Sequence, residues 1–556
     1  MGTAPRVAVG DSWVDPRDVA GITRGVGPKA LTLTVHTFPA KRGLWRRRRR
    51  EGGKRVDREV SFETVVDLIA ARDRLRGECF PANSMWLDPA NDARKVMVIV
   101  NPAAGNGRGV RLYERDVEPV LRCAFGSTTD ESSNTRRLEV VVTKAQGDAH
   151  AVASGLDLDA YAGVVCVGGD GTLAEVRNGL AGRGGVDGER GAERKSASLF
   201  PVGVVPTGSG NAIAKSLAFF ANEPCDAASA ALAVARGGTR LLDAADVFVP
   251  TSATSLTSLG EGGEDVEDVE VDVEDETSAR EGKKKAPAPV AMRSLLSLSW
   301  GLFADIDIES ERFRWLGGAR FTAQAVVRIL FPRRYEGAKL RFKPLSPSPD
   351  GGDGERSLKD TAPRAAATRA AARSLGSSVS VPCDDPVLAK QGWLELRDKS
   401  DFRGVWALNV PWGAEDMHAA PAAEPSDGAY DVIVVRGTSR LAMLFLLLAF
   451  DAGGHVSHPA VTYLKCSAFE LTPGSAQDGG GGYVAVDGEL VATAREASCL
   501  EVSEVSTRDA SEPKSVSLLP GSPASWRVPY GPTRVRVRAG GARVFAAGGL
   551  NAADAA

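Results

Sequence analysis

Three glycine-rich runs carry residue types suited to holding phosphate. They are Asn101-Pro102-Ala103-Ala104-Gly105-Asn106-Gly107-Arg108-Gly109, Gly168-Gly169-Asp170-Gly171-Thr172 and Pro206-Thr207-Gly208-Ser209-Gly210-Asn211. Glycine lets backbone N–H groups approach phosphate oxygens closely, and a helix starting behind each turn adds a positive dipole end. One such turn is weak evidence, because tight strand-to-helix connections are common. Three in one chain point to a polyphosphate. Asp170, flanked by three glycines, supplies a carboxylate among exposed N–H donors. Phosphoryl transfer asks a protein mainly to position groups and offset charge, with one carboxylate oriented to accept a hydroxyl proton. A Mg²⁺ ligand or a simple turn stabiliser are the other readings of that aspartate.

The turns need elements to carry them. Short apolar runs at Lys95–Val100, Leu138–Thr143, Gly163–Val167 and Val202–Val205 alternate with helix-like segments. That alternation predicts a parallel sheet covered by helices, with ligands outside the carboxyl ends of its strands. After Leu241 the pattern turns strand-like at Leu295–Ile308, Lys339–Lys343, Val405–Val410, Asp431–Val435 and Tyr483–Val486, predicting a mainly antiparallel second unit. Apolar helical stripes at Phe321–Phe331 and Leu441–Phe450 suit either core or the wall of a tunnel for an aliphatic chain.

The expected organisation is therefore a β-rich extension over 1–90, a nucleotide-binding lobe over 91–240, and a β-rich lobe over 241–505. A tail over 506–556 has no assigned pattern. Residues 251–289, with an acidic core, and 345–386, rich in Ser, Pro, Gly, Asp and Ala, read as loops. The extension has a strand at Ala30–Phe38 and a helix at Ser61–Leu75, compatible with a PH-like domain. Its Arg46–Arg50 run suits anionic lipid headgroups or a solvated loop.

Composition excludes several classes. A formal charge of −3 over 556 residues gives no field favouring nucleic acid. Seven cysteines without CxxC spacing fit reduced thiols and a cytoplasmic chain. The most apolar stretch, Leu441–Phe450, has half of the roughly 20 residues that a spanning helix needs, so any membrane contact is expected to be peripheral. The P-loop Lys-Ser/Thr and the HRD and DFG of protein kinases are missing.

In order and spacing, Asn-Pro-x-x-Gly-x-Gly from 101, Gly-Gly-Asp-Gly-Thr-x-x-Glu-Val-x-Asn-Gly-Leu from 168 and Pro-x-Gly-Ser-Gly-Asn from 206 resemble the catalytic motifs of diacylglycerol, ceramide and sphingosine kinases. The segment 297–320, with Ala-Asp-x-Asp-x-Glu-Ser-Glu at its centre, looks like the sphingosine kinase form. The resemblance implies a two-lobed α/β fold: a Rossmann-like nucleotide lobe and a mainly antiparallel lipid-binding lobe, with ATP between them and Mg²⁺ as cofactor. It implies Asp170 as general base, with Gly168, Gly169 and Gly171 beside the lipid. Asn101, Pro102, Ala103, Thr143, Glu175, Gly208, Ser209, Gly210, Arg314, Arg320, Asp487, Gly488 and Glu489 would surround the nucleotide. No metal-ligand set is specified. Asp307 would bind the amine of a sphingoid base, a partner that makes a buried carboxylate tolerable. From the pattern alone Asp305 and Asp307 share one face of a strand, and either can meet that amine.

Overall fold

The computed structural model describes residues 6–24, 31–42, 48–49, 54–82, 84–87, 94–125, 138–181, 197–208, 210–249, 290–316, 319–345, 361–397, 402–476, 482–493 and 530–547. Lys95–Val100, Leu138–Val142, Tyr161–Gly168 and Val202–Pro206 form parallel strands, with Lys95–Val100 between Leu138–Val142 and Tyr161–Gly168. Both sheet faces are covered, which explains unbroken apolar runs such as KVMVIV. Met97, Ile99, Val164 and Cys166 enter one core, and Val96, Val98, Val165 and Val167 enter the other. The chain leaves Lys95–Val100 toward one edge, then returns to lay Tyr161–Gly168 on its other side. That reversal opens a crevice at the carboxyl ends of these two strands, where the first two glycine turns begin.

The second lobe is antiparallel, in the order Glu489–Thr493, Tyr483–Val486, Ser297–Gly301, Phe402–Leu408, Tyr430–Arg436 and Val461–Thr472. Its core centres on Trp300, Phe342, Tyr430 and Phe469. Thr533–Phe545 joins the lobes: it pairs with Thr239–Val249 and Val461–Thr472, and Val544 pairs in parallel with Val202. The unassigned tail therefore contains a strand at the junction of the two lobes. Its alternation is Thr-Arg-Val-Arg-Val-Arg, and the arginines are paired: Arg534 with Glu470, and Arg538 with Asp246.

Two further expectations change. The loop read over 345–386 holds a helix, Ala362–Ser374, capped by Thr361 with Pro363 in its first turn, and a strand, Ser380–Pro382. Alanine and arginine make that helix, so it has no strong apolar stripe to announce it. The strand read over Leu295–Ile308 ends at Gly301, whose φ of 69° turns the backbone into a helix, Leu302–Glu309. Asp-Ile-Asp-Ile-Glu alternates with period two, yet the helix buries Leu302 and Phe303 under the second lobe.

In the extension, Val19–Arg24, Thr32–Thr37 and Val56–Ser61 form one sheet, and Val65–Cys79 is its helix. It seats on the helix Glu118–Phe125 so closely that a Cβ on Gly21 would lie 2.1 Å from the Cys123 carbonyl oxygen. The acidic run within 251–289 and most of Arg46–Arg50, including every side chain of that run, lie outside the described residues.

Candidate active site

The glycine turns meet one another through backbone contacts that leave no room for side chains. A Cβ on Gly105, at φ 62°, would lie 2.5 Å from the Thr207 carbonyl oxygen, and one on Gly208 would lie 2.8 Å from Gly169 Cα. The hairpin Tyr483–Thr493 comes to the same place, since a Cβ on Gly171 would be 3.1 Å from Glu489 Oε1. A Cβ on Gly488 would be 3.7 Å from Asp307 Oδ2. Motifs scattered over some 390 residues of sequence thus converge on one cleft.

Asp170 opens the helix Asp170–Ala181 and reaches across to the next one. Its Oδ2 accepts from Ala212 N–H at 2.9 Å and its Oδ1 from Ile213 N–H at 3.2 Å, at the start of Ala212–Ala221. These bonds fix the carboxylate at the meeting of two helix N-termini. Burial nonetheless raises its pKa, the two backbone donors oppose the rise, and the nearby Asp487 adds to it. A carboxylate with a raised pKa is the stronger proton acceptor.

The surrounding residues are held as a set. Asn101 donates to Thr172 Oγ1 at 3.0 Å and accepts from Ala103 N–H at 3.0 Å, tying the first turn to the second. Thr143 is fastened to the Val100 carbonyl. Glu175 Oε2 accepts from Gly147 N–H at 3.2 Å, before the helix Asp148–Ser154; burial raises its pKa. Asn211, at φ 52°, exchanges side-chain bonds with Gly208 N–H and carbonyl and so shapes the third turn.

Asp305 and Asp307 occupy different surroundings. On a helix, residues two apart point about 200° from each other. Asp305 is fully buried and accepts from Arg333 and Tyr335. Asp307 lines the cleft instead, where burial pushes its pKa up to about 6, Arg320 opposes the rise, and Glu489 and Asp170 add to it. Arg320 itself donates to Glu311 and lies over the Phe321 ring, 4.5 Å from its centroid.

One cavity of about 1410 Å³ unites these groups. That exceeds the roughly 300–1,000 Å³ of an ordinary small-molecule pocket, so there is space for two substrates. Asn101, Pro102, Ala103, Thr143, Gly169, Asp170, Gly171, Glu175, Gly208, Gly210, Arg320, Gly488 and Glu489 all border it. Its far end is apolar, with Phe303, Ile306, Ile329, Trp406, Leu444 and Phe450. Both apolar helical stripes, Ala319–Leu330 and Arg440–Leu448, thus wall the cavity.

Some expected members stand apart. Ser209 and the side chain of Arg314 lie outside the described residues. Gly168 does not border the cavity; a Cβ there would meet Thr172 Oγ1 at 2.5 Å, so its freedom serves the turn itself. Asp487 borders the cavity, yet its carboxylate accepts from Ser294 Oγ and the N–H groups of Leu295, Leu296 and Ser297 at 2.6–3.0 Å. That geometry clamps the strand entry instead of pointing a charge at a nucleotide. Sequence reasoning missed Arg108, which also borders the cleft. Arg108 sits inside the first glycine run, which was the available signal.

Comparison with known proteins agrees with this architecture. Residues 95–247 match the diacylglycerol kinase catalytic domain family, and residues 399–505 match the YegS C-terminal NAD kinase beta sandwich-like domain. Sphingosine kinase 1 of Arabidopsis thaliana is 34% identical over 407 residues, 72% of this chain and 70% of that protein. Sphingosine kinase 2 of the same plant is 31% identical over 443 residues, covering 79% and 76%. Sphingosine kinase 1 of Homo sapiens is 29% identical over 421 residues, covering 73% and 90%. With motifs, fold and likeness over most of its length in agreement, the chain is an ATP-dependent lipid kinase and belongs to the sphingosine kinase family.

Proposed function

We propose that the protein transfers the γ-phosphoryl group of ATP to the primary hydroxyl of a sphingoid base, a long-chain 2-amino-1,3-diol, giving the 1-phosphate and ADP. The observation that carries this reading is that Asp307 lines the same cavity as Asp170, together with the glycine turns and the apolar residues. A buried carboxylate is costly without a cation, and the ammonium of such a base supplies one. Diacylglycerol has none.

In this mechanism the three turns present backbone N–H groups and helix N-termini to the phosphates. Arg320 offsets their charge. Asp170 accepts the proton of the lipid hydroxyl as its oxygen bonds to phosphorus and the bond to the leaving ADP oxygen breaks. Asp307 orients the hydroxyl by holding the neighbouring amine, and the apolar helices take the chain. Glu489 offers a hard oxygen donor beside the second turn, of the kind suited to helping hold Mg²⁺ with the phosphates. When bound, that ion would neutralise charge on the phosphate oxygens.

Peripheral membrane contact is part of the same reading. Leu330 and Phe445 are 51% and 61% exposed on the two helices that wall the lipid end, and Phe331, just past the end of the first, is 70% exposed. Among the described residues no helix is long and apolar enough to cross a membrane.

A panel of lipids with labelled ATP tests the proposal. Sphingoid bases should be phosphorylated far faster than ceramide or diacylglycerol, whereas equal or preferred use of the neutral lipids would move the assignment to a ceramide or diacylglycerol kinase.

A further inference from the structure

A strand that walls a channel for an aliphatic chain should present apolar side chains to it. Ser297–Gly301 does this on one face only, and it is the wrong one. Leu298 and Trp300 point into the core of the second lobe, while Ser297 and Ser299 border the cavity. Neither serine hydroxyl makes a hydrogen bond to a described residue, and neither is sealed from water, since both remain accessible from the cavity. Each residue is only 6% exposed, so the one space open to its hydroxyl is the cavity itself.

The two serines stand at different depths. Ser297 N–H is bonded to Asp487 at 2.9 Å, beside Gly488 and therefore near Asp307 and the nucleotide turns. Ser299 is about 6.8 Å further along the strand. It lies opposite Trp406 in the ladder, on the way to Phe303 and the apolar end. A chain anchored by its amine at Asp307 and running toward Phe303 passes Ser297 first and Ser299 next.

Resting on the sphingoid-base reading above, we infer that the Ser299 hydroxyl is a specificity site for a hydroxyl group carried one carbon beyond the aminodiol, at position 4 of the base. Once a bound chain has displaced water from the channel, a serine hydroxyl left without a partner is unfavourable, and a substrate hydroxyl that satisfies it gains what an unsubstituted chain cannot. Ser299 would take no part in the phosphoryl step. Its contribution is to distinguish 4-hydroxysphinganine from sphinganine, two bases that differ in that group alone.

The test measures kcat/KM of the full-length protein for both bases in the wild type, Ser299→Ala and Ser299→Thr. One neutral hydrogen bond corresponds to a preference of roughly 3- to 10-fold, so the wild type should favour 4-hydroxysphinganine by about that factor. Ser299→Ala should lose the preference by slowing the 4-hydroxylated base alone, mainly through KM, and Ser299→Thr, which keeps a hydroxyl, should regain part of it. A wild type without preference, or an alanine variant that slows both bases equally, would overturn the assignment and leave Ser299 as a small residue that merely makes room. If the wild type phosphorylates neither base, it is the kinase reading that fails, and this inference with it.

Discussion

Replacing Asp307 with asparagine removes a charge while nearly preserving shape, and its effects on stability and on activity should have opposite signs. In the free protein, burial raises the Asp307 pKa from 3.8 to about 6. Between those values the folded state keeps a proton that the unfolded chain has released. Stability therefore falls as pH rises through that window, and the penalty stands in full above it. Asparagine carries no such penalty, so at neutral pH the variant without substrate should unfold at the same temperature as the wild type or higher. With a sphingoid base the sign reverses, because the ammonium enters the cleft without its counter-charge. Truncating one side of a buried, hydrogen-bonded charge pair costs about 2–5 kcal/mol, equivalent to roughly 30- to several-thousand-fold in kcat/KM. The assay crosses the wild type and Asp307→Asn with sphinganine and its analogue lacking the amine, so that the coupling between the two deletions isolates the pair. The wild type should lose activity on the deaminated analogue, and the variant should hardly distinguish the two lipids. Wild-type kcat/KM for sphinganine should also decline as pH falls through about 6, where Asp307 takes up its proton. Additive effects of the two deletions, or a variant retaining most of its activity on sphinganine, would refute the amine-binding role.

Other residues give equally specific expectations. Gly208→Ala would press a methyl group to 2.8 Å from Gly169 Cα and force the second and third turns apart; overpacking of this kind costs about 1–3 kcal/mol, and it should appear as weaker nucleotide binding in titration calorimetry with the fold intact by circular dichroism. Arg333→Ala would leave Asp305 and Glu309 without the guanidinium that bonds both at 2.9 and 2.7 Å. Breaking one side of a buried pair costs about 3–5 kcal/mol, so denaturant unfolding should shift to clearly lower concentration, and an unshifted midpoint would show that the pair is dispensable.

Much of the site was legible because its chemistry is local in the chain. The glycine turns announce themselves by residue type, and the strands before them by unbroken apolar runs such as Lys95–Val100. What stayed hidden depends on partners distant in sequence. Asp487 is expected at the nucleotide through the resemblance, and only the fold brings the Ser294 hydroxyl and the Leu295–Ser297 backbone to its carboxylate. Thr533–Phe545 lies in the tail without an assigned pattern, and its place becomes plain only when Glu470 and Asp246 appear opposite its arginines. Asp305 and Asp307 misled for a different reason. A short segment alternating acid and isoleucine fits a strand, and what decides against it is the positive φ at Gly301 together with the core waiting for Leu302 and Phe303.

The most direct test of phosphoryl transfer at the second glycine turn is the turnover of Asp170→Asn with labelled ATP and a sphingoid base. Asparagine can still accept from Ala212 N–H, so the turn and nucleotide affinity should survive. Loss of the proton acceptor should reduce kcat by about 10²- to 10⁴-fold. Full activity in Asp170→Asn would contradict the account.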